Sequence, residues 1–154
     1  MDVRQVILEL VNTSPVVHGR VTEALDADWL SAHDVTGVAV GTARRLRDDL
    51  QRVIRREADA RILEPYLRDV RRTPVLTDGG LDWATEADWA GSMVLAWGEL
   101  EREMPGRLRP CANDECRLFL LDRSRAGRGR WCSMQECGNR MKARRHYERV
   151  RHTE

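Results

Sequence analysis

The chain has 154 residues, enough for one ordinary domain or for a moderate domain with a small appended module. Its 42% hydrophobic and 33% charged residues are typical of a globular protein and exclude a disordered or collagen-like chain. The net charge of +1 hides an asymmetry, because residues 1–106 carry 13 basic and 19 acidic side chains and residues 107–154 carry 13 and 6. The two segments therefore have net charges of −6 and +7.

The sequence also excludes several functional classes. No stretch reaches 18 apolar residues, and the first residues lack a basic leader with an uninterrupted apolar region, so we expect a cytoplasmic protein with no membrane partner. All four cysteines lie between residues 111 and 137, which is unusual for a disulfide-stabilised secreted fold. No HExxH, GxSxG, Walker or GxGxxG pattern occurs, so we expect no enzyme.

Helices dominate the predicted elements of the first hundred residues. Residues 3–11 fit a short helix or a buried strand about equally well, and we favour the helix. A second short helix is predicted to end at Ala32, with Thr22 or Asp26 as its N-cap. Leu46, Leu50, Val53 and Ile54 then recur at helical spacing and predict a longer amphipathic helix. Another helix is expected to start near Leu63, because Pro65 is tolerated only in a first turn.

A β-hairpin is predicted before the last helix of this segment. Residues 73–85 form two short β-rich pieces around Asp78-Gly79-Gly80, where glycine supplies the positive φ of a tight turn. The helix that follows is predicted from Glu86 to Met104 and ends at Pro105-Gly106. We interpret four tryptophans as core aromatics rather than as the walls of a ligand pocket; they are Trp29, Trp83, Trp89 and Trp97.

The cysteine spacing carries the clearest chemistry in the sequence. Cys111-x4-Cys116 and Cys132-x4-Cys137 are equal pairs with fifteen residues between them. Each pair can supply two thiolates from one local turn, as a tetrahedral four-thiolate zinc site requires. We expect one structural zinc ion, with an iron–sulfur cluster, disulfides or coincidence as alternatives. A catalytic zinc is disfavoured because four thiolates leave no open position for water.

The residues around the cysteines predict a small finger. Leu118–Leu121 is a strand candidate, and Ser133 to Glu136 form a capping box at the start of a helix. The order hairpin, ligand, helix, ligand is treble-clef-like, and zinc must supply much of the folding free energy, about 10 to 16 kcal/mol in comparable peptides. The predicted fold is therefore mainly α (α+β), with an N-terminal helical domain at 1–105 that carries a short β-hairpin, followed by a four-cysteine zinc finger at 107–154.

The last helix and the turn before it are rich in arginine. On the helix, Arg140, Arg144 and Arg151 share one outer stripe with Tyr147, and Lys142 and Arg149 flank it. The preceding turn adds Arg123, Arg125, Arg128 and Arg130. A positive surface on a rigid, metal-anchored element suits phosphates and guanine edges, and a merely solvated basic face is the alternative.

Three motifs in this segment resemble a known family: Cys111-Ala-Asn-Asp-Glu-Cys116, Arg130-Trp131-Cys132-Ser133-Met134, and Cys137-Gly138-Asn139-Arg140. Over residues 107–149 the chain resembles the CGNR zinc finger family of bacteria, described as stress-induced transcription regulators. Its members pair this finger with an N-terminal, mostly helical domain named ABATE. The N-terminal residues resemble that domain through Leu10-Val11-Asn12-Thr13 and Trp29-Leu30.

The resemblance implies roles for individual residues. It implies zinc at Cys111, Cys116, Cys132 and Cys137, and DNA contact by Asn139, Arg140, Lys142, Arg144 and Arg145. Together with Arg125, Arg128, Arg130 and Arg149, these form the candidate nucleic-acid surface. Asn139 lies so close to Cys137 that a bond to a ligand sulfur or to the helix entry is an equal alternative.

We therefore expect a zinc-dependent DNA-binding transcriptional regulator whose finger helix contacts double-stranded DNA. The N-terminal domain would serve dimerisation, as a homodimer, or signal input from a small-molecule effector that the sequence does not identify. One small module buries too little surface for high specificity, which favours a dimer. The alternative is a zinc-stabilised module that binds protein or RNA without reading DNA.

Overall fold

A computed structural model describes residues 2–151. Within them the helices are α1 (Val3–Val11), α2 (Ala27–Ala32), α3 (Val40–Ile54), α4 (Trp89–Glu103) and α5 (Asn139–Arg151), with a 3-10 helix at Ala60–Leu67 and a π-helical turn at Met134–Gly138. The strands form antiparallel pairs: β1 (Val16–Val17) with β2 (Arg20–Val21), β3 (Arg71–Thr77) with β4 (Gly80–Glu86), and β5 (Leu108–Pro110) with β6 (Phe119–Leu121). The predicted fold class, mainly helical with short hairpins and a small C-terminal finger, is confirmed. Across residues 2–151, no helix has the length and apolarity needed to cross a membrane.

The apolar core lies among α1, α3 and α4. Residues 3–11 form a helix, so the strand alternative is wrong; the Asp2 carboxylate caps it by accepting from the Arg4 N–H at 3.0 Å. The stripe on α3 is buried at Leu46 and Leu50, as its spacing predicts. The core continues through the fully or nearly fully buried side chains Ile7, Leu10, Leu25, Leu63 and Leu100.

Aspartate caps fix where the second and fourth helices begin. The Asp26 carboxylate accepts from the Trp29 N–H at 2.9 Å, so Asp26 and not Thr22 is the N-cap of α2. Asp88 does the same for α4, accepting from the Gly91 N–H at 2.7 Å. Helix α4 therefore starts at Trp89, later than predicted, because strand β4 extends to Glu86.

The segment after α3 is a 3-10 helix, which differs from the prediction of a helix that starts near Leu63. It begins at Ala60, where the Asp59 carboxylate accepts from the Arg61 N–H at 2.8 Å. Pro65 lies inside it. Pro65 has no N–H to donate, and in an α-helix its ring would clash with the carbonyl four residues earlier, which disfavours an α-helix over this segment.

The β3–β4 hairpin is longer than predicted and lies on the surface. All of its strand residues are exposed, including Leu76 at 85%, Leu81 at 67% and Trp83 at 50%. The interpretation of Trp83 as a core aromatic is therefore wrong, because the hairpin pairs only with itself and nothing in the described residues covers it. The other three tryptophans, Trp29, Trp89 and Trp97, pack partly buried against the core.

The short β5–β6 hairpin is built into the core of the helical part. Phe119 is 1% exposed, and it shares one apolar cluster with Leu108 and the buried residues of α1, α3 and α4. The Asn12 side chain bonds both backbone groups of Phe119, accepting from its N–H at 2.8 Å and donating to its carbonyl at 3.2 Å. Arg55 lies over the Phe119 ring at 4.3 Å and donates to the Arg117 carbonyl at 2.6 Å. These contacts fix the position of the first cysteine pair.

Candidate metal centre and basic surface

The first cysteine pair lies on a turn between β5 and β6. The Cys111 N–H donates to the Leu118 carbonyl at 2.8 Å, which extends the β5–β6 pairing to the first ligand. The Cys116 N–H donates to the Asn113 carbonyl at 2.8 Å and closes the turn. The hairpin therefore presents both thiols from one rigid loop.

The second pair lies at the start of the last helix. The Ser133 hydroxyl accepts from the Glu136 N–H at 3.3 Å, as the predicted capping box requires of its first residue. Cys132 directly precedes this cap, and Cys137 lies in the π-helical turn that leads into α5. A ligand at Cys137 therefore anchors α5 at its first turn.

The four sulfur atoms have the geometry of a tetrahedral zinc site. All lie within 4.8 Å of one another, and the Sγ atom of Cys132 is 3.7 Å from those of Cys116 and Cys137. A zinc ion with four sulfur ligands at about 2.3 Å sets neighbouring sulfurs about 3.8 Å apart. The prediction of one zinc ion held by Cys111, Cys116, Cys132 and Cys137 is therefore confirmed.

Two N–H donors point at the ligand sulfurs. The Asn113 side-chain amide donates to the Cys137 sulfur at 3.4 Å, and the Cys132 N–H donates to the Cys111 sulfur at 3.4 Å. Asn113 is almost completely buried, so its bond serves the site rather than solvent. Sequence reasoning missed Asn113, although its place between Cys111 and Cys116 was the available signal.

The structure also shows which group the Asn139 side chain bonds. Its side-chain amide donates to the Gln135 carbonyl at 3.3 Å, and its side chain is exposed. Asn139 therefore bonds the helix entry, whereas the buried Asn113 bonds the ligand sulfur. The exposed position leaves DNA contact by Asn139 as a prediction.

Burial and hydrogen bonds shift the pKa values of the cysteine thiols in the site. It raises the pKa of Cys116 to about 11 and raises the pKa of Cys132 as well. Burial acts the same way on Cys137, but hydrogen bonds from Asn113 and from neighbouring thiols outweigh it and lower the Cys137 pKa. Zinc must displace the protons of these thiols, so acid competes with the metal. A closed four-thiolate site of this kind holds structure and leaves no position for a reacting water.

A buried aspartate organises the basic turn between the two pairs. The Asp122 carboxylate accepts from the N–H groups of Ser124 at 3.0 Å and Gly129 at 2.9 Å, and it pairs with the Arg109 guanidinium. Hydrogen bonds from the Ser124 hydroxyl and these N–H groups, with the nearby Arg109 charge, lower the pKa of Asp122 to about 2. Asp122 therefore stays ionised and fixes the path of the chain from Ser124 to Gly129.

The candidate DNA residues all lie at the surface. Every one of them is exposed: Arg125, Arg128, Arg130, Asn139, Arg140, Lys142, Arg144, Arg145 and Arg149. On α5 no residue is buried, and Arg144 pairs with Glu148 at 3.4 Å. In the turn, the Arg130 guanidinium lies 5.1 Å from the centre of the Trp131 ring.

Few side chains of the last helical segment, residues 134–151, are buried. Cys137 is buried and Met141 half-buried, but Met134 is 54% exposed. Helix α5 packs mainly against the π-helical turn rather than against the body, so little of its length needs an apolar face. Almost the whole circumference of α5 therefore faces solvent.

The four sulfurs, the hairpin and the anchored helix define the C-terminal segment as a zinc finger of the treble-clef-like kind. Residues 107–150 match the family described as CGNR zinc finger, and the sequence resemblance of this segment is therefore confirmed. The match covers less than a third of the chain, and the ABATE resemblance of residues 1–105 stays a prediction. The comparison with curated proteins gave no match.

Proposed function

We propose that this protein is a zinc-dependent DNA-binding transcriptional regulator whose finger contacts double-stranded DNA through α5. The observation that carries the proposal is the state of α5: zinc anchors it at Cys137, no residue of it is buried, and six of its thirteen residues are Arg or Lys. A structural metal site fixes the direction of such a helix before any partner binds, which lowers the ordering cost of binding. A cytoplasmic location and the absence of enzyme activity belong to the same proposal.

The dimensions of α5 fit a DNA groove. Thirteen residues give a helix about 20 Å long and 10 to 12 Å across, and the major groove of B-DNA is about 12 Å wide. Arg140, Lys142, Arg144 and Arg145 occupy more than one side of this helix, so some can reach phosphates while others face base edges. Arg125, Arg128 and Arg130 in the preceding turn would add phosphate contacts.

The charge distribution supports the same orientation. The finger segment carries a net charge of +7, while residues 1–106 carry −6. DNA would attract the finger and repel the helical part, so the protein would approach with α5 first. The N-terminal part is left free for dimerisation or for signal input.

A protein partner is the second candidate, because α5 also exposes apolar side chains. Tyr147 is 69% exposed, and Val150 follows it at helical spacing and is half exposed. Single-stranded RNA is less well supported, since the aromatic Phe119 is buried in the core and unable to stack on a base. Structured RNA offers the same phosphates as DNA, so competition between the two nucleic acids for the protein is the measurement that distinguishes them.

The test is fluorescence anisotropy of the zinc-loaded protein on mixed-sequence duplex DNA at several salt concentrations. We expect binding that falls steeply with salt and is lost after chelation of zinc. Arg144→Ala with Arg145→Ala should weaken binding to all sequences and reduce the salt slope by about one unit per lost phosphate contact.

The matched control is Arg61→Ala with Arg68→Ala, which removes the same charge from exposed positions on and beside the 3-10 helix. It should leave the salt slope unchanged, so equal losses in the two double variants would point to net charge rather than to α5. Absence of binding at low salt would overturn the DNA proposal and favour a protein partner at Tyr147 and Val150.

A further inference from the structure

The β3–β4 hairpin has one apolar and one polar face. The cross-strand register pairs Pro74 with Trp83 and Leu76 with Leu81, and alternation places these four side chains on the same face, with Arg72 and Thr85 at the base. The Arg72 guanidinium lies 5.6 Å from the centre of the Trp83 ring on this face. The opposite face carries Thr73, Val75, Asp82 and Ala84. We call the first set, Pro74, Leu76, Leu81 and Trp83, the ribbon face.

The ribbon face is uncovered in the single chain. Leu76 is the most exposed large apolar side chain among the described residues, and Leu81 and Trp83 are half exposed or more. None of the ribbon face belongs to the apolar core or packs against it. An isolated two-stranded hairpin is marginal in water, and a contiguous exposed apolar patch usually marks a contact surface.

Both edges of the hairpin are protected against strand addition. Pro74 gives β3 no N–H at its centre. On β4, the Trp83 N–H is taken by the Asp82 carboxylate at 2.8 Å. A partner that adds a third strand would find the central donor of each edge missing or occupied, so the face is the accessible binding surface.

We propose that the ribbon face binds the same face of a second copy of this chain, with the two hairpins antiparallel about a two-fold axis. This inference rests on the dimerisation role in the proposed function and names its surface. The two-fold axis passes at the level of Pro74 and Trp83, which lie at the middle of β3 and β4. The two indoles then meet near the axis, and each pair of leucines lies over the base of the other hairpin.

The charges of the hairpin are complementary to themselves in this arrangement. Arg72 lies at the base on the ribbon face, Arg71 and Glu86 pair across the strands on the opposite face, and Asp78 lies at the tip. Antiparallel packing brings Arg72 of one copy towards Asp78 of the other, whereas parallel packing would place like charges together. Only the antiparallel arrangement therefore pairs opposite charges at both ends.

Other partners fit the ribbon less well. Its five charged residues, Arg71, Arg72, Asp78, Asp82 and Glu86, sum to −1, and the segment that carries it has a net charge of −6. Both values oppose DNA and an anionic lipid surface. A second copy carries the same charge of −6 on this segment. The hairpin, whose seven-residue strands are about 23 Å long, keeps the bodies of the two copies apart by well over the screening length of about 8 Å, so their repulsion is weak.

The size of the face sets the expected affinity. A ribbon about 23 Å long and two strands wide buries far less than the roughly 800 Å² per partner of a standard interface. We therefore expect a weak dimer that depends on protein concentration. Two copies brought together on one DNA duplex would gain from the same contact through their high local concentration.

The test is sedimentation equilibrium of the full-length, zinc-loaded protein without DNA, from about 10 µM to about 1 mM. We expect the apparent mass to rise from 17.7 kDa toward twice that value. Leu76→Ser with Leu81→Ser should weaken association at least about tenfold, a loss of about 1.4 kcal/mol. Trp83→Glu should do the same, because it places two carboxylates near the axis.

The control removes apolar groups from the opposite face, as Val75→Ser with Ala84→Ser, and should associate like the wild type. Circular dichroism and zinc content establish that each variant is folded. A monomer over the whole concentration range, or equal association in all variants, would overturn the inference. So would a monomer that floats with phosphatidylcholine vesicles through Leu76 and Leu81, since the occupant would then be lipid. Because no duplex is present, a failure of DNA binding leaves this result unaffected.

Discussion

Two hairpins of this protein, β3–β4 and β5–β6, have opposite surroundings. The hairpin β3–β4 has seven residues in each strand, and all of them are exposed. The hairpin β5–β6 has three residues in each strand, yet Leu108 and Phe119 are nearly completely buried. The shorter hairpin is held between α1 and the cysteine turn, while the longer one extends from the body without covering.

This difference shows that pairing and burial are separate properties of a hairpin. The turn residues and strand propensities that pair β3 with β4 are local, and no residue of either strand belongs to the apolar core. Burial of β5–β6 depends instead on Asn12 and Arg55, which lie more than sixty residues away along the chain. The buried hairpin is therefore part of the folding of the whole protein, and the exposed one is free to serve an interface.

The largest effect should come from the metal that the buried hairpin helps to hold. Cys132→Ser should remove most of the zinc affinity and unfold the finger, because comparable zinc sites contribute about 10 to 16 kcal/mol to folding. Metal content and the amide spectrum by NMR measure this, and resonances of β3–β4 should stay in place. Ser133→Ala is the control: it removes a cap worth about 0.5 to 2 kcal/mol and should keep the zinc. Stoichiometric zinc and an intact finger in Cys132→Ser would contradict the four-thiolate site.

The next effect should come from the aromatic residue of the buried hairpin. Phe119→Ala should lower the free energy of unfolding by about 3 to 5 kcal/mol, since it leaves a cavity between the finger and the helical core. Chemical denaturation of the zinc-loaded protein gives this value. Tyr147→Ala on the exposed helix α5 should change it by no more than about 0.5 kcal/mol. Similar losses in the two variants would show that burial does not distinguish the two sites.

A smaller effect should come from the side chain that joins β6 to α1. Asn12→Ala leaves the backbone N–H and carbonyl of Phe119 without partners, and we expect a loss of about 1 to 3 kcal/mol. The same denaturation measurement applies. The control Gln5→Ala removes a bond to Glu9 on the same helix and should cost less, because solvent can replace it. A neutral Asn12→Ala would mean that the apolar contacts alone hold the finger.

Local patterns in the sequence predicted the structural features that are set by residues close together in the chain. Cysteine spacing predicted the zinc ligands, and the cap at Asp26 and the stripe through Leu46 and Leu50 predicted helices, because each signal lies within a few turns. The same is true of the turn at Asp78-Gly79, where Gly80 has a φ of +108°. These elements form for reasons that a short stretch of chain contains.

Tertiary contacts determine the features that the sequence did not predict. Asn113 bonds a sulfur twenty-four residues away, and Asp122 organises a loop through Arg109 and two later N–H groups. In the sequence, Asn113 differs from an ordinary surface polar residue only by its place between Cys111 and Cys116, and Asp122 does not differ from one at all. Trp83 is the converse case, because its size favours the core but its strand has no partner layer to bury it.

Trp83 also provides the smallest predicted effect. At concentrations of a few micromolar, below the expected association, Trp83→Ala should change the free energy of unfolding by no more than about 1 kcal/mol, the upper value for an exposed contact such as that with Arg72. Chemical denaturation at two protein concentrations measures it. A loss above about 2 kcal/mol at low concentration would mean that the single chain covers the ribbon face. If the wild type gains stability at the higher protein concentration and Trp83→Ala does not, Trp83 stabilises the contact between two copies, because association stabilises the folded state by mass action.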